Sequence, residues 1–273
     1  MSLSDTRPTS PGGQAILSGS YVQLLLRGLL AGLLAGLLAG AVAFVVGEPH
    51  IDSAIAIEEA AGEAADHDHG GAAVVDEEAH SHGDDAEVSR TGQKAGLFLA
   101  TSLAGLALGA LYASVLHFAR RYTDLPGWKL ALTGAGAAWL AIEAVPFFKY
   151  PANPPAVGDP DTINERTLWW LAAVVLGLVA IAVAVAVAKA LSNQDLHTVR
   201  IVGPLIAFLV VVGLGYLVMP TIDEVSDDFP ASLLWQFRVA SFTVQVTLWA
   251  ALGFIFAFLT ERASRVRARA FGS

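Results

Sequence analysis

The chain has 273 residues, of which 55% are hydrophobic and only 15% are charged. A soluble domain carries about 25% charged residues, so the composition is that of a membrane protein. The net charge of -9 argues against nucleic acid as a partner, because a phosphate backbone requires a basic face. The sequence contains no cysteine, which excludes disulfides and thiolate metal sites, so any metal must be held by nitrogen and oxygen ligands.

Residues 1–20 are rich in Ser, Thr, Pro and Gly and predict a disordered tail before a membrane domain at 21–273. An apolar run follows at 22–46, interrupted near its start by Arg27. About 20 apolar residues cross a bilayer core of about 30 Å, so this run predicts the first transmembrane helix. A cleaved signal peptide ending near Ala43 is the alternative. The run exceeds the usual apolar region of such peptides, about 7 to 15 residues, which favours a membrane anchor.

Five more runs of spanning length are present. They lie at 95–119, 128–148, 167–188, 201–219 and 233–259. We therefore predict an all-α, polytopic membrane protein with a bundle of six transmembrane helices. A long loop rich in histidine and acidic residues would occupy 47–94.

The distribution of basic residues predicts the orientation, because cytoplasmic loops carry an excess of Lys and Arg. If the amino terminus is cytoplasmic, its side receives 11 basic residues and the other side receives 4. The 11 are Arg7, Arg27, Arg120, Arg121, Lys129, Lys189, Arg200, Arg262, Arg265, Arg267 and Arg269, and the 4 are Arg90, Lys94, Lys149 and Arg166. Both termini are therefore predicted to be cytoplasmic, with loop 47–94 on the exterior side of the cytoplasmic (inner) membrane.

The first helix has glycines at a strict spacing of four: Gly28, Gly32, Gly36 and Gly40. Glycines four apart line one face and allow a second helix to approach closely. We favour an intramolecular seam. The alternative is docking of a partner helix or a homo-oligomer through the same face.

Two His-x-His pairs, His67 with His69 and His80 with His82, lie in an acidic stretch at 66–85. Neutral imidazole is a ligand for divalent metals, and flexible backbone allows the two rings of a pair to meet on one ion. Tracts of this composition are typical of metal-binding segments. We favour metal capture over the alternative of a solvated acidic linker.

Two more candidate ligands, His50 and Glu48, follow the first predicted span. At the outer mouth of the bundle they would receive an ion from the loop. Imidazole and carboxylate ligands leave the metal open among Co²⁺, Ni²⁺ and Zn²⁺.

Among the ionisable residues inside predicted spans, two are candidates for function, Glu143 in the third and Arg238 in the sixth. Each would lie roughly 8 Å below the outer end of its helix, and charges inside a bilayer usually pair. We predict a salt bridge that lines an outward-facing vestibule, either on the ion path or as a structural pin. Ser241 and Gln245 extend the polar stripe of the sixth helix, although polar contact between helices is the commoner use of such residues.

Familiar catalytic signatures are missing: the sequence has no His-Glu-x-x-His, no phosphate loop and no Gly-x-Ser-x-Gly. We therefore predict that the protein is not an enzyme and uses no organic cofactor. Any transport would draw on an ion gradient, the membrane potential or a partner subunit.

Four stretches together resemble a known family: the Arg27-led Gly/Leu helix, GEPHIDSAIAIEEA at 47–60, FKYPANPPAVGDPDTI at 148–163 and LLWQFRVASFTVQVTLW at 233–249. Over nearly the whole chain they resemble the CbtA family of cobalt transporter subunits. The resemblance implies an inner-membrane protein that supplies cobalt for cobalamin synthesis, with a small single-span partner, CbtB. It also implies a ligand role for the four loop histidines, although the loop here is longer and more acidic than the family pattern.

The leading hypothesis is a membrane subunit that takes up a divalent transition metal, with Co²⁺ first and Ni²⁺ or Zn²⁺ as alternatives. A rival from another class is a metal-binding accessory or sensor membrane protein that assists a separate carrier. A structural membrane protein with an incidental histidine loop is the third interpretation.

Overall fold

The structure is a computed structural model that describes residues 17–68, 89–155 and 157–271. Within these ranges the regular elements are all helical, and six helices are long and apolar enough to cross a membrane. They are Tyr21–Ala60, Arg90–Ala119, Gly127–Lys149, Ile163–Ala190, His197–Val218 and Ala231–Val266. The predicted all-α fold with six spans is confirmed.

The described part of the chain contains eight α-helices in chain order. They are α1 (Tyr21–Val42), α2 (Glu48–Asp68), α3 (Arg90–Ala119), α4 (Gly127–Trp139), α5 (Val145–Lys149), α6 (Ile163–Ala190), α7 (His197–Val218) and α8 (Ala231–Phe271). Two π-helical turns, Ala43–Gly47 and Leu140–Ala144, join α1 to α2 and α4 to α5. A short 3₁₀ turn, Pro160–Thr162, precedes α6.

Each π-helical turn comes just before a proline, Pro49 in α2 and Pro146 in α5. Proline has no N–H to donate, and its ring clashes with the carbonyl four residues earlier in an α-helix. A locally widened turn relieves that clash without ending the helix, and such turns are frequent at functional sites. Two carboxylates lie at these distortions, Glu48 directly after the first and Glu143 within the second.

The segment after the first apolar run differs from the predicted loop. Helix α2 continues to Asp68, so only part of 47–94 can be a loop, and α3 already begins at Arg90. The reason is local, because the sequence of α2 is rich in Ala and Glu, which have high helix propensity. We had placed the end of the first helix at the end of its apolar run, which marks the bilayer core rather than the end of the helix.

The long helices pack in a row. Helix α3 packs on α1, α1 packs on α8, α8 packs on α4, and α6 packs on α5 and on α7. The most buried side chains lie where α1, α3, α4 and α8 meet, and they include Leu24, Leu116 and Phe256. Helix α7 is at the edge of the row and has no buried residue.

The glycine face of α1 forms the seam with α3, as favoured from the sequence. All four of its glycines are buried, and carbonyl oxygens of Gly109, Gly105 and Thr101 lie where a β-carbon on Gly28, Gly32 or Gly36 would be. Backbone meets backbone here because Gly105 and Gly109 lie opposite. The alternative of a homo-oligomer through this face is wrong, since α3 of the same chain already covers it.

Contacts between residues near the two ends of the chain identify one end of the bundle. At one end the Arg120 guanidinium donates to the carbonyls of Leu17 and Gly19, and Ser18 bonds Ser264 near the end of α8. The opposite end therefore carries the start of α8, the contact between α2 and α3, and the links 150–162 and 219–230. The predicted orientation makes that opposite end the exterior one.

Candidate functional site

A cavity of about 460 Å³ lies between α5, α6, α8 and the two links 150–162 and 219–230. Its acidic lining residues are Glu143, Asp223 and Glu224, its basic ones are Arg166 and Arg238, and its amides are Asn153 and Gln245. Polar groups of both signs inside a bundle of apolar helices are expensive to bury, so such a site is a default candidate for function.

Arg238 does not pair with Glu143, and the predicted salt bridge is wrong. The Arg238 guanidinium instead donates from Nη2 to the side-chain oxygen of Asn153, at 2.9 Å, and from Nε to the carbonyl of Ala152, at 3.3 Å. The link after α5 folds back over the bundle and reaches the arginine. Depth along a helix does not reveal these partners, because they belong to the link and not to another span.

Glu143 accepts a hydrogen bond from the indole Nε1 of Trp249, at 3.3 Å. Trp249 is buried and lies three helical turns beyond Arg238 on α8, about 16 Å along the helix axis. Glu143 is therefore at the deep part of the cavity, whereas Arg238 is nearer its mouth. The two predicted partners do line one cavity, at different levels.

Gln245 lines the same cavity, one turn before Trp249 on α8. Its Oε1 is buried and accepts no hydrogen bond from the described part of the chain. Ser241 is partly buried on the same helix but does not line the cavity. The predicted polar stripe therefore contributes Gln245 to the site, while the place of Ser241 on an ion path stays a prediction.

Glu224 ties the two links together over the cavity. Its carboxylate accepts hydrogen bonds from the backbone N–H of Asp159, at 3.0 Å, and from the hydroxyl of Thr162, at 2.5 Å, and it pairs with Arg166 at 3.2 Å. Gly158 beside them has φ of 115°, a conformation that glycine adopts without strain. Both links are thereby held as one wall of the cavity.

Tyr150 adds a second tie between the same links. Its hydroxyl donates to the carbonyl of Pro220 at 2.9 Å. Burial raises the pKa of the Tyr150 phenol above its ordinary value, so the group stays protonated and keeps its donor role at neutral pH.

The other predicted ligands near the first span are engaged differently. Glu48 is 6% exposed and pairs with Arg90 at 2.7 Å and with Lys94 at 3.8 Å. Asp52, one turn later, contacts the same two cations. This cluster fastens the start of α3 to α2, and it satisfies the Glu48 carboxylate with cations of the chain itself. His50 is partly buried beside it.

Replacing Glu48 by Gln tests whether this carboxylate is structural. We expect the midpoint of thermal unfolding to fall by about 2–4 °C, because Arg90 and Lys94 lose one of their two counter-charges, with cobalt binding unaltered. The exposed Glu58→Gln, on the same helix, is the control and should change neither quantity. Lower cobalt affinity at unchanged stability would restore Glu48 as a ligand.

The histidine-rich segment lies mostly outside the described residues. His69, His80 and His82 fall in 69–88, while His67 is on the last turn of α2. In the ranges that the structure describes, no three His, Asp or Glu side chains come together as a metal site would require. Metal capture by the four histidines therefore stays a prediction.

Comparison with known families shows to which family the chain belongs. Residues 21–261 match the family described as "Probable cobalt transporter subunit (CbtA)". The chain belongs to the CbtA family. No curated protein and no solved structure matches it. This CbtA chain is thus a multi-pass membrane protein of a cobalt transporter family, as the resemblance implied, and a family of transporter subunits agrees with a role other than catalysis.

The two most specific stretches of the CbtA resemblance converge on the cavity. FKYPANPPAVGDPDTI supplies Tyr150, Asn153 and Val157, and LLWQFRVASFTVQVTLW supplies Arg238 and Gln245. These segments are far apart in the chain, and no local pattern in either predicts their contact. Their meeting makes the cavity the best candidate for the functional site of this CbtA protein.

Sequence reasoning missed several residues of the site. Three of them, Asn153, Trp249 and Glu224, each hold a charged group of the cavity in place. The sequence did contain a signal for Asn153. The Pro-rich link 150–162 is long for a simple turn, and it follows the span that contains Glu143. Trp249 and Glu224 resemble ordinary span and loop residues, and only the packing reveals their partners.

Proposed function

We propose that this chain is a membrane subunit for cobalt uptake and that the cavity around Glu143 and Arg238 is where the substrate enters the bundle. The observation that supports this most is the convergence of the two CbtA-like stretches on one partly buried, charged cavity. Carboxylate and amide oxygens from four separate parts of the chain line it: the π turn before α5, the links 150–162 and 219–230, and α8. Ligands of this kind hold divalent cations in proteins.

In the proposed arrangement both termini are cytoplasmic and the cavity faces the exterior of the cytoplasmic membrane. The excess of Lys and Arg on the opposite side supports this orientation. The acidic segment between α2 and α3 then concentrates cations at the same end of the bundle. Its histidines, His67, His69, His80 and His82, capture the ion, which passes to Glu143 and Gln245.

The membrane potential can drive the entry of a cation without nucleotide hydrolysis. It contributes about 2.3 kcal/mol per charge per 100 mV, so a doubly charged ion gains nearly 5 kcal/mol on moving inward. We further propose that the metal is Co²⁺ for cobalamin synthesis, with Ni²⁺ and Zn²⁺ as competitors, and that a small single-span subunit of the CbtB type completes the transporter. The word "subunit" in the family description supports a partner.

Uptake of ⁵⁷Co²⁺ into proteoliposomes that contain this chain, alone or together with a CbtB-type subunit, tests the proposal. We expect uptake that rises with an inside-negative potential and is reduced by a tenfold excess of Ni²⁺. Uptake should also fall below pH of about 6.5, where imidazole is protonated and cannot bind metal. Liposomes without protein control for leakage, and the absence of cobalt uptake under every condition would contradict the proposal.

A second candidate function is a metal-binding accessory or sensor that assists a separate carrier. The family description as a subunit also agrees with it. The two candidates differ in the same assay. The accessory role predicts cobalt binding by the purified chain, with no uptake until the carrier is added.

A further inference from the structure

Arg238 lines the cavity with a charge that makes no ion pair with the described part of the chain. Its two hydrogen bonds go to the neutral oxygens of Asn153 and Ala152, from Nη2 and Nε, and Nη1 makes no hydrogen bond with the described residues. None of the ion pairs among the described residues includes Arg238. Asp223 lines the same cavity and its charge acts on Arg238 at longer range, but no hydrogen bond or ion pair among the described residues joins the two side chains.

An arginine held inside a span is costly unless an anion compensates its charge. Guanidinium matches the planar geometry of a carboxylate and binds it more strongly than a neutral oxygen. Asn153 and Ala152 fix the orientation of the Arg238 side chain without neutralising its charge. Arg238 is therefore arranged to receive an anionic group from a ligand.

The deep part of the cavity has the opposite preference. Within the described part of the chain, the Glu143 carboxylate accepts one hydrogen bond, from Trp249, and the buried Oε1 of Gln245 accepts none. Oxygen acceptors without donors favour a cation. A bare cation would bind well at the deep part of the cavity, but Arg238 would repel it near the mouth. A free anion would bind Arg238, but Glu143 would repel it.

The size and walls of the cavity fit an organic ligand. Its volume of about 460 Å³ lies in the range of about 300–1,000 Å³ that is usual for small-molecule sites. Six waters around an ion would need only about 180 Å³, at about 30 Å³ each. Phe147, Tyr150 and Trp170 line the cavity, and aromatic walls contact carbon atoms rather than a hydration shell.

We propose that the cavity binds the metal as a complex with a small polycarboxylate, with the metal toward Glu143 and Gln245 and a free carboxylate on Arg238. This inference rests on the proposed function and specifies its substrate class. The complex carries both signs of charge, and so does the cavity. Arg238 is then the residue that distinguishes the chelate from the free ion.

Double-label binding to the full chain in phosphatidylcholine nanodiscs tests this. The probes are ⁵⁷Co²⁺ alone, ¹⁴C-citrate alone, and the two premixed at equal concentrations. We expect both labels to be retained together, with at least tenfold higher affinity for the complex than for either component. Replacing Arg238 by Gln should lower affinity for the complex at least tenfold, while binding of free Co²⁺ does not fall, because a like charge has been removed.

Two further variants guard against a folding defect. Asn153→Asp keeps the arginine but places a carboxylate against it, and it should reproduce the loss seen with Arg238→Gln because the guanidinium is then neutralised within the chain. Arg265→Gln, on the same helix but exposed and paired with Glu261, is the matched control and should bind the complex as the parent does.

Four outcomes would overturn the inference. Retention of ⁵⁷Co with no ¹⁴C, at the same affinity with or without citrate, would exclude the complex as the ligand. The proposed function would stand. Citrate binding as tightly without cobalt as with it would mean a simple anion site. Displacement of the complex by phosphatidylglycerol in the nanodisc would identify a lipid headgroup as the occupant of Arg238. Binding of neither cobalt form would overturn the proposed function as well.

Discussion

Replacing Gly32 by Ala is expected to destabilise the protein by about 1–3 kcal/mol, and replacing it by Leu is expected to prevent recovery of folded, monodisperse protein. A β-carbon at Gly32 would overlap the carbonyl oxygen of Gly105, which belongs to the backbone. Neither helix can yield by changing a rotamer, so α1 and α3 would have to separate along the whole seam. Thermal unfolding in detergent, with size-exclusion chromatography of each variant, measures the effect.

A matched substitution separates this packing effect from the general cost of altering a glycine. Gly136 is in α4, and a β-carbon there meets nothing within 4 Å. Gly136→Ala should therefore leave stability unchanged or raise it by up to about 1 kcal/mol, the difference in helix propensity. A Gly32→Ala variant as stable as the parent would mean that α1 and α3 do not approach as described. A change in oligomer size at unchanged stability would revive the interface between copies.

The fold was largely predictable because the bilayer imposes its own length scale on sequence. A span requires about 20 apolar residues and internally satisfied backbone, so hydropathy alone located all six. The glycine spacing in α1 also predicted a seam, since Gly28 and Gly32 have no side chain that could serve another purpose. The sequence pattern did not show that α3 is the partner. That Gly105 and Gly109 face the glycines of α1 is visible only in the packed structure.

The candidate site was predictable only in part, and the reason is physical. A charge inside a span is costly and therefore rare, so Glu143 and Arg238 could be recognised as candidates from the sequence. Their partners are neutral groups, a tryptophan and an asparagine, whose sequence positions carry no comparable signal. The ion pair was the simplest partner for both charges, and the fold instead gives each of them a separate, neutral hydrogen-bonding partner.

Replacing Glu143 by Gln is expected to lower cobalt uptake at least tenfold with little effect on the fold. The glutamine oxygen can still accept the hydrogen bond from Trp249, so the substitution removes charge and little else. At an effective dielectric constant of about 20, unit charges 4 Å apart attract by about 4 kcal/mol. A third of this energy already corresponds to a tenfold change in affinity.

Glu165→Gln is the matched control for that experiment. Glu165 also accepts a hydrogen bond from a tryptophan, Trp169 at 3.4 Å, but it is exposed on α6 and does not line the cavity. Uptake by this variant should equal that of the parent, because a solvated carboxylate contributes little to a site it does not reach. If Glu143→Gln and Glu165→Gln both transport cobalt at the parental rate, the cation does not pass Glu143, and its carboxylate serves only to hold α4 and α5 against α8 through Trp249.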